Sequence, residues 1–235
     1  MTHHYETFGI EFDDTNLMGP NAIKLAEEVC RHLDLQPGMK VLDLACGTAL
    51  SSLFLAKQYG VTVFATDLWI SPTENYQRVV EAGLEDLVYP IYSEAHSLPY
   101  ADEFFDAIVC FDAYQYFGSD ERYLNDYLIK LLKPNGQIGL AIPGFSHEMS
   151  DEEIRQCGEN CSGPDDLLGF HTSQWWQELW GRIRAVKDVE TFELACSDDA
   201  WEDWIGSLNP IGQEDTDFFR NTDALITIGL IARRS

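Results

Sequence analysis

The chain has 235 residues, and its content of 45% hydrophobic and 12% aromatic residues is typical of a folded globular protein. Forty acidic residues against fifteen basic ones give a formal net charge of −25. Because polyanions are bound through clustered lysine and arginine, this charge disfavours nucleic acid and anionic lipid as partners. We expect the acidic surface to keep the protein in solution, with a high-salt habitat or a cationic ligand as the alternatives.

The sequence shows no signal for export or membrane insertion. Residues 1–12 are polar and acidic, without the basic start and apolar run of a signal peptide, and no later apolar run reaches membrane-spanning length. Six scattered cysteines are typical of free thiols in a reducing compartment. These features predict a cytoplasmic protein that binds neither membranes nor nucleic acid, and they leave a homodimer open.

Apolar periodicity and capping residues divide the chain into alternating strands and helices after a polar lead-in at residues 1–20. Ser71, Pro72 and Glu74 form a capping box at the start of one helix. We predict strands at 41–44, 61–66, 88–93, 105–111, 138–142, 186–196 and 224–232. We predict helices at 21–34, at 49–60, from Ser71 to Gly83, at 119–131, from Thr172 onward and at 198–208.

This alternation implies a parallel sheet with helices on both faces. Pro90 lacks a backbone donor and therefore places the strand at 88–93 at a sheet edge. Residues 133–136, Lys-Pro-Asn-Gly, are predicted to form a turn. Residues 144–184 interrupt the alternation with acidic runs and a tryptophan-rich helix. Its tryptophans are either the aromatic residues of a lid or part of the core.

Residues 41–49, Val-Leu-Asp-Leu-Ala-Cys-Gly-Thr-Ala, join the first predicted sheet strand to a helix through small residues. Such a unit lets a ligand approach the main chain, with backbone N–H groups and the positive helix end facing it. The order Asp43, Ala45, Gly47, Ala49 resembles the D-x-G-x-G-x-G signature of class I S-adenosylmethionine-dependent methyltransferases. Alanine replaces two of the three glycines.

Later segments match the same family in the same order. Asp67 ends the second strand about twenty residues after Gly47, where the family has an acidic residue that accepts hydrogen bonds from the ribose hydroxyls. Residues 93–100 are similar to its D-A-x-x-L-P-F stretch, which implies that Glu94 and Ala95 lie beside the adenine. Residues 104–110 resemble its fourth strand, and 131–136 its L-K-P-G-G turn. The pattern is similar to that of ubiquinone- and menaquinone-biosynthesis methyltransferases.

The resemblance implies a Rossmann-like α/β fold. Its seven-stranded sheet has the order 3-2-1-4-5-7-6, with the last strand antiparallel and helices on both faces. We expect one methyltransferase domain over residues 1–235. Its expected parts are an N-terminal cap and helix (1–37), a cofactor-binding core (38–143), a substrate lid between strands 5 and 6 (144–184) and a C-terminal strand pair (185–235).

The resemblance also implies the cofactor, S-adenosylmethionine, and its binding residues. Gly47 is the position where a side chain would collide with the ligand. Asp43 is expected to accept bonds from backbone N–H groups of the turn, or from water near the amino acid end of the cofactor. The residues expected to bind the cofactor are Asp43, Ala45, Cys46, Gly47, Thr48, Asp67, Leu68, Glu94, Ala95, Phe111 and Asp112.

The implied reaction is in-line displacement of a methyl group onto a small-molecule acceptor, for which the protein supplies alignment. His96, Asp112 and Tyr114 are candidate proton acceptors that the sequence does not rank against one another, and for each of them a structural role is the favoured alternative. The acceptor is expected under the lead-in and the 144–184 segment. The residues expected to bind it are Met18, Tyr114, Tyr116 and Trp175.

Two other functions stay open at this stage. The alanines at 45 and 49 suggest a protein that binds the cofactor without turnover. A nicotinamide-dependent oxidoreductase would need G-x-G-x-x-G, whereas the small residues here are two apart. Cys157 and Cys161, near His147 and His171, could suggest a metal, but their spacing matches no zinc pattern and we predict no metal site.

Overall fold

The computed structural model describes residues 4–7, 9–158 and 164–235. Its strands are β1 (His4–Thr7), β2 (Ile10–Asp13), β3 (Lys40–Leu44), β4 (Thr62–Asp67), β5 (Val88–Tyr92), β6 (Phe105–Phe111), β7 (Leu132–Phe145), β8 (Val186–Glu193) and β9 (Leu225–Arg234). The last seven form one sheet in the order β5-β4-β3-β6-β7-β9-β8. β3 to β7 pair in parallel, and β9 is antiparallel to β7 and β8. The predicted order 3-2-1-4-5-7-6 is confirmed.

Helices cover both faces of this sheet. They are α1 (Ala22–Cys30), α2 (Leu50–Tyr59), α3 (Pro72–Glu81), α4 (Ile129–Leu131, preceded by a π-helical segment at Tyr123–Leu128), α5 (Asp151–Gly158), α6 (Ser173–Gly181), α7 (Ser197–Ile205), α8 (Pro210–Glu214) and α9 (Thr216–Asn221). Val41 of β3 lies in a buried cluster with α1 and α2, whereas its neighbour Leu42 lies in a second cluster with α4 and α6. Among the described helices, none has the length and apolarity needed to cross a membrane.

The structure agrees with the sequence on the position of the strand with Pro90 and differs from it on residues 133–136. β5, with Pro90, is an edge strand as predicted. The predicted turn at 133–136 lies instead within β7 as a bulge, because Phe105 pairs with Leu132 and Ala107 with Gln137. Asn135 has φ +60° there, and Lys133 Nζ lies 2.6 Å from Asp106 Oδ1 on the facing strand. This ion pair ties the bulge to the sheet.

Several short elements of the described chain were not predicted from the sequence. The lead-in contains a hairpin of β1 and β2, whose apolar residues Ile10 and Phe12 are each 4% exposed. Between α7 and β9 the chain forms α8 and α9, and Trp204 Nε1 donates to Asp215 Oδ2 at 3.0 Å to hold them on α7. Elements of four to six residues show too few periods for apolar patterning to identify them.

The 144–184 segment packs on the sheet. Trp176 and Trp180 of α6 are fully buried in the cluster that contains Leu42. Gln177 Nε2 donates to the carbonyl of Val189 in β8 at 2.8 Å, which fixes α6 against this strand. Of the two alternatives for these tryptophans, the core is therefore confirmed for Trp176 and Trp180, since burial of large aromatic rings stabilises the helix there.

Candidate functional site

A cleft of about 250 Å³ opens at the carboxyl ends of β3, β4 and β6. β3 lies between β4 and β6, so the cleft occupies the switch point where ligands bind in open α/β sheets. Of the eleven residues expected to bind the cofactor, all but Asp43 line this cleft; that they bind it stays a prediction. The lining residues are 16–20, 22, 44–48, 50, 51, 66–69, 93–95, 111–113, 116 and 117.

The turn from β3 to α2 uses left-handed backbone at three small residues. The φ angle is +56° at Ala45, +54° at Gly47 and +65° at Ala49. Glycine adopts such angles freely, whereas each alanine costs about 1 kcal/mol. The turn thus keeps a left-handed conformation at both alanines. A Cβ on Gly47 would lie 3.1 Å from Sδ of Met18, which lies over the turn.

Asp67, at the end of β4, joins the two loops that border the cleft. Its Oδ2 accepts the N–H of Gly47 at 2.8 Å, and its Oδ1 accepts those of Trp69 at 2.7 Å and Ile70 at 2.9 Å. The side chain is buried but lines the cleft. A carboxylate with two oxygens and several lone pairs holds these N–H groups and keeps capacity for a further donor.

Asp43 lies fully buried beneath the turn. Its hydrogen-bond partners differ from the expected backbone N–H groups of the turn. Its Oδ2 accepts the hydroxyls of Ser51 and Ser52 of α2, each at 2.6 Å, instead of backbone N–H groups. Oδ1 is buried without a partner. Burial raises the pKa of Asp43 to about 6, although the two serine hydroxyls lower it. Asp43 therefore anchors the first turn of α2 to β3.

Glu94 and His96 form a pair at the edge of the cleft. Glu94 Oε1 lies 2.8 Å from His96 Nδ1, and Oε2 accepts the backbone N–H of His96 at 3.0 Å. The hydrogen bond from His96 lowers the pKa of Glu94. Glu94 lines the cleft, whereas the side chain of His96 is 57% exposed and does not. His96, one of the three candidate proton acceptors, is thus directed at Glu94.

Asp112 follows β6 on the wall opposite Asp67. Its φ of +60° is left-handed, a strained conformation that often marks functional loops. Its backbone N–H donates to the carbonyl of Ala141 at 2.9 Å, which fixes the loop to β7. A Cβ on Gly19 would lie 2.1 Å from Asp112 Oδ2, so the lead-in and this loop meet here. Of the three candidate proton acceptors, only Asp112 lines the cleft.

The rim of the cleft carries exposed apolar side chains. Met18 is 43% exposed, Leu68 41%, Trp69 74% and Tyr116 51%. The ring centroids of Trp69 and Tyr116 are 6.4 Å apart, although one ring follows β4 and the other follows β6. Met18 and Tyr116, both predicted to bind substrate, therefore border the cleft from different segments.

Two predicted substrate residues lie elsewhere. Tyr114 is fully buried against Trp176 and Trp180, with ring centroids 5.9 and 5.8 Å apart. Tyr114 does not line the cleft, and its burial raises the pKa of its hydroxyl well above the ordinary value. Trp175 stacks on His171 at 3.6 Å, outside the cleft, and no described residue of 144–184 lines it. These expectations are corrected.

Some residues that shape the cleft had no signal in the sequence. Asn75 of α3, 1% exposed, donates from Nδ2 to the carbonyl of Gly47 at 2.9 Å. Thr48 Oγ1 donates to the carbonyl of Asn16, which ties the lead-in to the turn. A polar residue inside a predicted helix is expected to be exposed to solvent, so the sequence alone did not indicate the buried position of Asn75.

The alternative of a metal site finds no support in the described part of the chain, which contains no cluster of three or more possible ligands. Cys161 lies outside the described residues. Cys157 accepts the hydroxyl of Thr222 at 3.7 Å, and burial lowers the pKa of His171.

Comparison with known proteins gives a consistent result. Residues 41–136 match a family model described as a methyltransferase domain. Demethylmenaquinone methyltransferase of Corynebacterium efficiens is 32% identical over 109 residues, which are 46% of this chain and 44% of that protein. The chain spans less than half the length of the curated relatives it matches.

Solved structures share the fold. Geranyl diphosphate C-methyltransferase of Streptomyces coelicolor, in complex with Mg²⁺, geranyl diphosphate and S-adenosylhomocysteine, superposes with a TM-score of 0.69 at 16% identity, covering 89% of this chain and 77% of that one. The [4+2]-cyclase SpnF superposes with a TM-score of 0.69 at 18% identity, covering 90% and 80%. At such identities the likeness concerns the fold alone.

Proposed function

We propose that this protein transfers a methyl group from S-adenosylmethionine to a small-molecule acceptor, because residues 41–136 match a methyltransferase domain. The observation that carries the proposal is the pairing of Asp67 with Gly47 beside an open cleft. At this switch point the carboxylate faces the turn, and the turn has no side chain at its centre.

The residues present fit the cofactor. Gly47 leaves a surface that only the movable side chain of Met18 covers, and Asp67 keeps acceptor capacity for a ribose hydroxyl beside its three backbone donors. We propose that Leu68 and Ala95 border the adenine and that the turn at Ala45 borders the methionine end. When bound, S-adenosylmethionine supplies a methyl group on a sulfonium sulfur for in-line displacement by the acceptor.

The protein's own contribution is alignment and, where the acceptor carries a proton, its removal. Asp112 lines the cleft opposite Asp67, whereas His96 and Tyr114 do not. We therefore propose Asp112 as the residue that receives the proton of the acceptor or orients it. Fixing both reactants in one cleft removes much of the entropic barrier of a bimolecular displacement.

The second candidate is a protein that binds the cofactor without methyl transfer. Alanine at 45 and 49, where the family signature has glycine, favours it. Against it, both alanines adopt the left-handed backbone that glycine would adopt. Both candidates therefore use the cofactor site that we propose.

Thermal shift separates these candidates from a nicotinamide enzyme. We expect S-adenosylhomocysteine to raise the melting temperature and NAD to leave it unchanged. A shift with NAD alone would contradict the proposal. Formation of S-adenosylhomocysteine from S-adenosylmethionine with a panel of amine, hydroxyl and thiol acceptors then tests turnover, and binding without product for any acceptor would favour the second candidate.

The remaining expectations from the sequence stay predictions. They are a cytoplasmic location, a homodimer as an open possibility, and the absence of nucleic-acid and membrane partners. Light scattering of the purified protein measures the oligomeric state, and filter binding with labelled DNA and RNA tests the charge argument, which predicts no retention.

A further inference from the structure

The charged side chains that line the cleft, among the residues described, are all acidic. Its described lining residues include three carboxylates, Asp67, Glu94 and Asp112, and no lysine, arginine or histidine. His96 lies at the edge but pairs with Glu94. The chain as a whole is also acidic, with a formal net charge of −25. An acceptor entering this cleft therefore meets negative potential from its walls and from the surface around it.

An anionic acceptor has no partner here. Proteins recognise carboxylates and phosphates chiefly through arginine and lysine, whose N–H groups form charge-assisted hydrogen bonds. No described wall of the cleft provides such a group. A cationic acceptor, in contrast, gains from the charge of Asp112, whatever hydrogen bonds that carboxylate makes within the protein.

The aromatic and apolar side chains at the rim of the cleft also favour a particular kind of acceptor. Trp69 and Tyr116 are 74% and 51% exposed, and the centroids of their rings lie 6.4 Å apart across the mouth of the cleft. Met18 and Leu68 extend this apolar surface. Aromatic faces attract cations and pack on flat apolar groups, and exposed apolar clusters of this kind mark ligand sites.

We propose that the acceptor is an amine carried on an apolar or aromatic body, which enters the cleft as a cation between the Trp69–Tyr116 pair and Asp112. This inference rests on the proposed function. The ammonium first loses one proton, to Asp112 or to water. The nitrogen lone pair then forms the N–C bond as the C–S bond breaks. The bond electrons stay on sulfur, and the positive charge passes from sulfur to nitrogen.

The test uses indole probes of one shape and different charge on the full chain preloaded with S-adenosylhomocysteine. Tryptamine is cationic at neutral pH, and indole-3-propionate is anionic. By calorimetry we expect tryptamine to bind about tenfold more tightly, the ratio that one well-placed charge contributes. Asp112→Asn should reduce this preference to about threefold or less, because asparagine keeps the left-handed backbone but loses the charge.

The rim is tested with Tyr116→Ala and Trp69→Ala. Each should weaken tryptamine binding about fivefold and change S-adenosylhomocysteine affinity much less, since the rings are exposed. Equal or tighter binding of indole-3-propionate, an unchanged preference in Asp112→Asn, or no binding of either probe to the loaded protein would overturn the inference. Failure to bind S-adenosylhomocysteine at all would instead contradict the proposed function, so the two failures are distinguishable.

Discussion

The two sides of the cleft are built differently. On the side of β3 and β4, Asp43 and Asp67 are 0% and 7% exposed and hold the turn and helix α2 through short hydrogen bonds. On the rim, Trp69 and Tyr116 are 74% and 51% exposed. The buried side is therefore part of the fold, whereas the rim can change without disturbing the sheet. Substitutions on the two sides should separate stability from substrate choice.

Asp67→Ala is expected to have the largest effect on cofactor affinity and stability together. Three backbone N–H groups, of Gly47, Trp69 and Ile70, lose their acceptor. We expect affinity for S-adenosylhomocysteine to fall by about 1–3 kcal/mol, and stability by a similar amount, the cost of leaving such donors unpaired. Calorimetry and urea unfolding measure the two quantities.

Asp102→Asn is the matched control for Asp67→Ala, since Asp102 is exposed and lies outside the cleft. Both quantities should match the wild type. If Asp67→Ala binds S-adenosylhomocysteine as tightly as the control, Asp67 does not belong to the cofactor site.

Asp43→Asn tests the buried side of the cleft through the pH dependence of folding stability. Because burial raises the pKa of Asp43 from 3.8 to about 6, the folded state holds this proton more tightly than the unfolded state does. Ionisation of Asp43 thus destabilises the fold, and its penalty disappears as the pH falls from about 6 to about 4. The stability of Asp43→Asn relative to wild type should therefore be greater at pH 7.5 than at pH 4, by roughly 3 kcal/mol.

Asp106→Asn is the control of opposite sign for this pH dependence. Burial acts to raise the pKa of Asp106, but the hydrogen bond from Lys133 and the backbone N–H of Lys40 lower it overall. Its ionised form therefore stabilises the fold above the unfolded pKa, and this contribution is lost as the pH falls through the folded pKa. Urea unfolding at a series of pH values should show Asp106→Asn losing most stability at neutral pH. Parallel pH profiles for Asp43→Asn and wild type would contradict the account of Asp43.

Ala45→Gly should have a smaller, stabilising effect. Ala45 has φ +56°, an angle that glycine adopts without the steric cost of a side chain. We expect stability to rise by about 0.5–1 kcal/mol, with cofactor affinity equal or higher. Ala56→Gly, in the interior of α2, is the control and should lower stability by about 1 kcal/mol. A loss of stability in Ala45→Gly comparable to that in Ala56→Gly would show that the left-handed turn is not strained.

The smallest effect on stability is expected at the rim. Trp69→Ala should change the free energy of unfolding by less than about 0.5 kcal/mol, as exposed substitutions usually do. The urea midpoint checks this. A loss of several times that size would mean that the rim supports the fold, and the contrast between the two sides of the cleft would fail.

The sequence predicted the sheet order and most of the cleft because both depend on local pattern. Residues 41–49 carry the turn, and Asp67 ends a strand whose apolar residues identify it. Asp43, however, was assigned the wrong partners, since sequence spacing does not show that Ser51 and Ser52 point back at β3. A motif specifies where the chain turns, and its hydrogen bonds depend on packing.

The aromatic residues were harder to assign for a different reason. Tyr114 and Tyr116 are two residues apart in one short 3₁₀ helix (Tyr114–Tyr116), yet one is 0% and the other 51% exposed. Trp175 and Trp176 are adjacent, and only the second lies in the core. Helical periodicity allowed a lid or a core for these tryptophans, and the packing of α6 on β8 decided between them.

A crystal structure with S-adenosylhomocysteine tests the central claim most directly. We predict that a ribose hydroxyl lies within hydrogen-bonding distance of the Asp67 carboxylate, with the adenine beside Leu68 and Ala95 and the side chain of Met18 moved off Gly47. Density for the ligand at the amino ends of the strands, or a cleft still covered by Met18 at saturating ligand, would contradict the account.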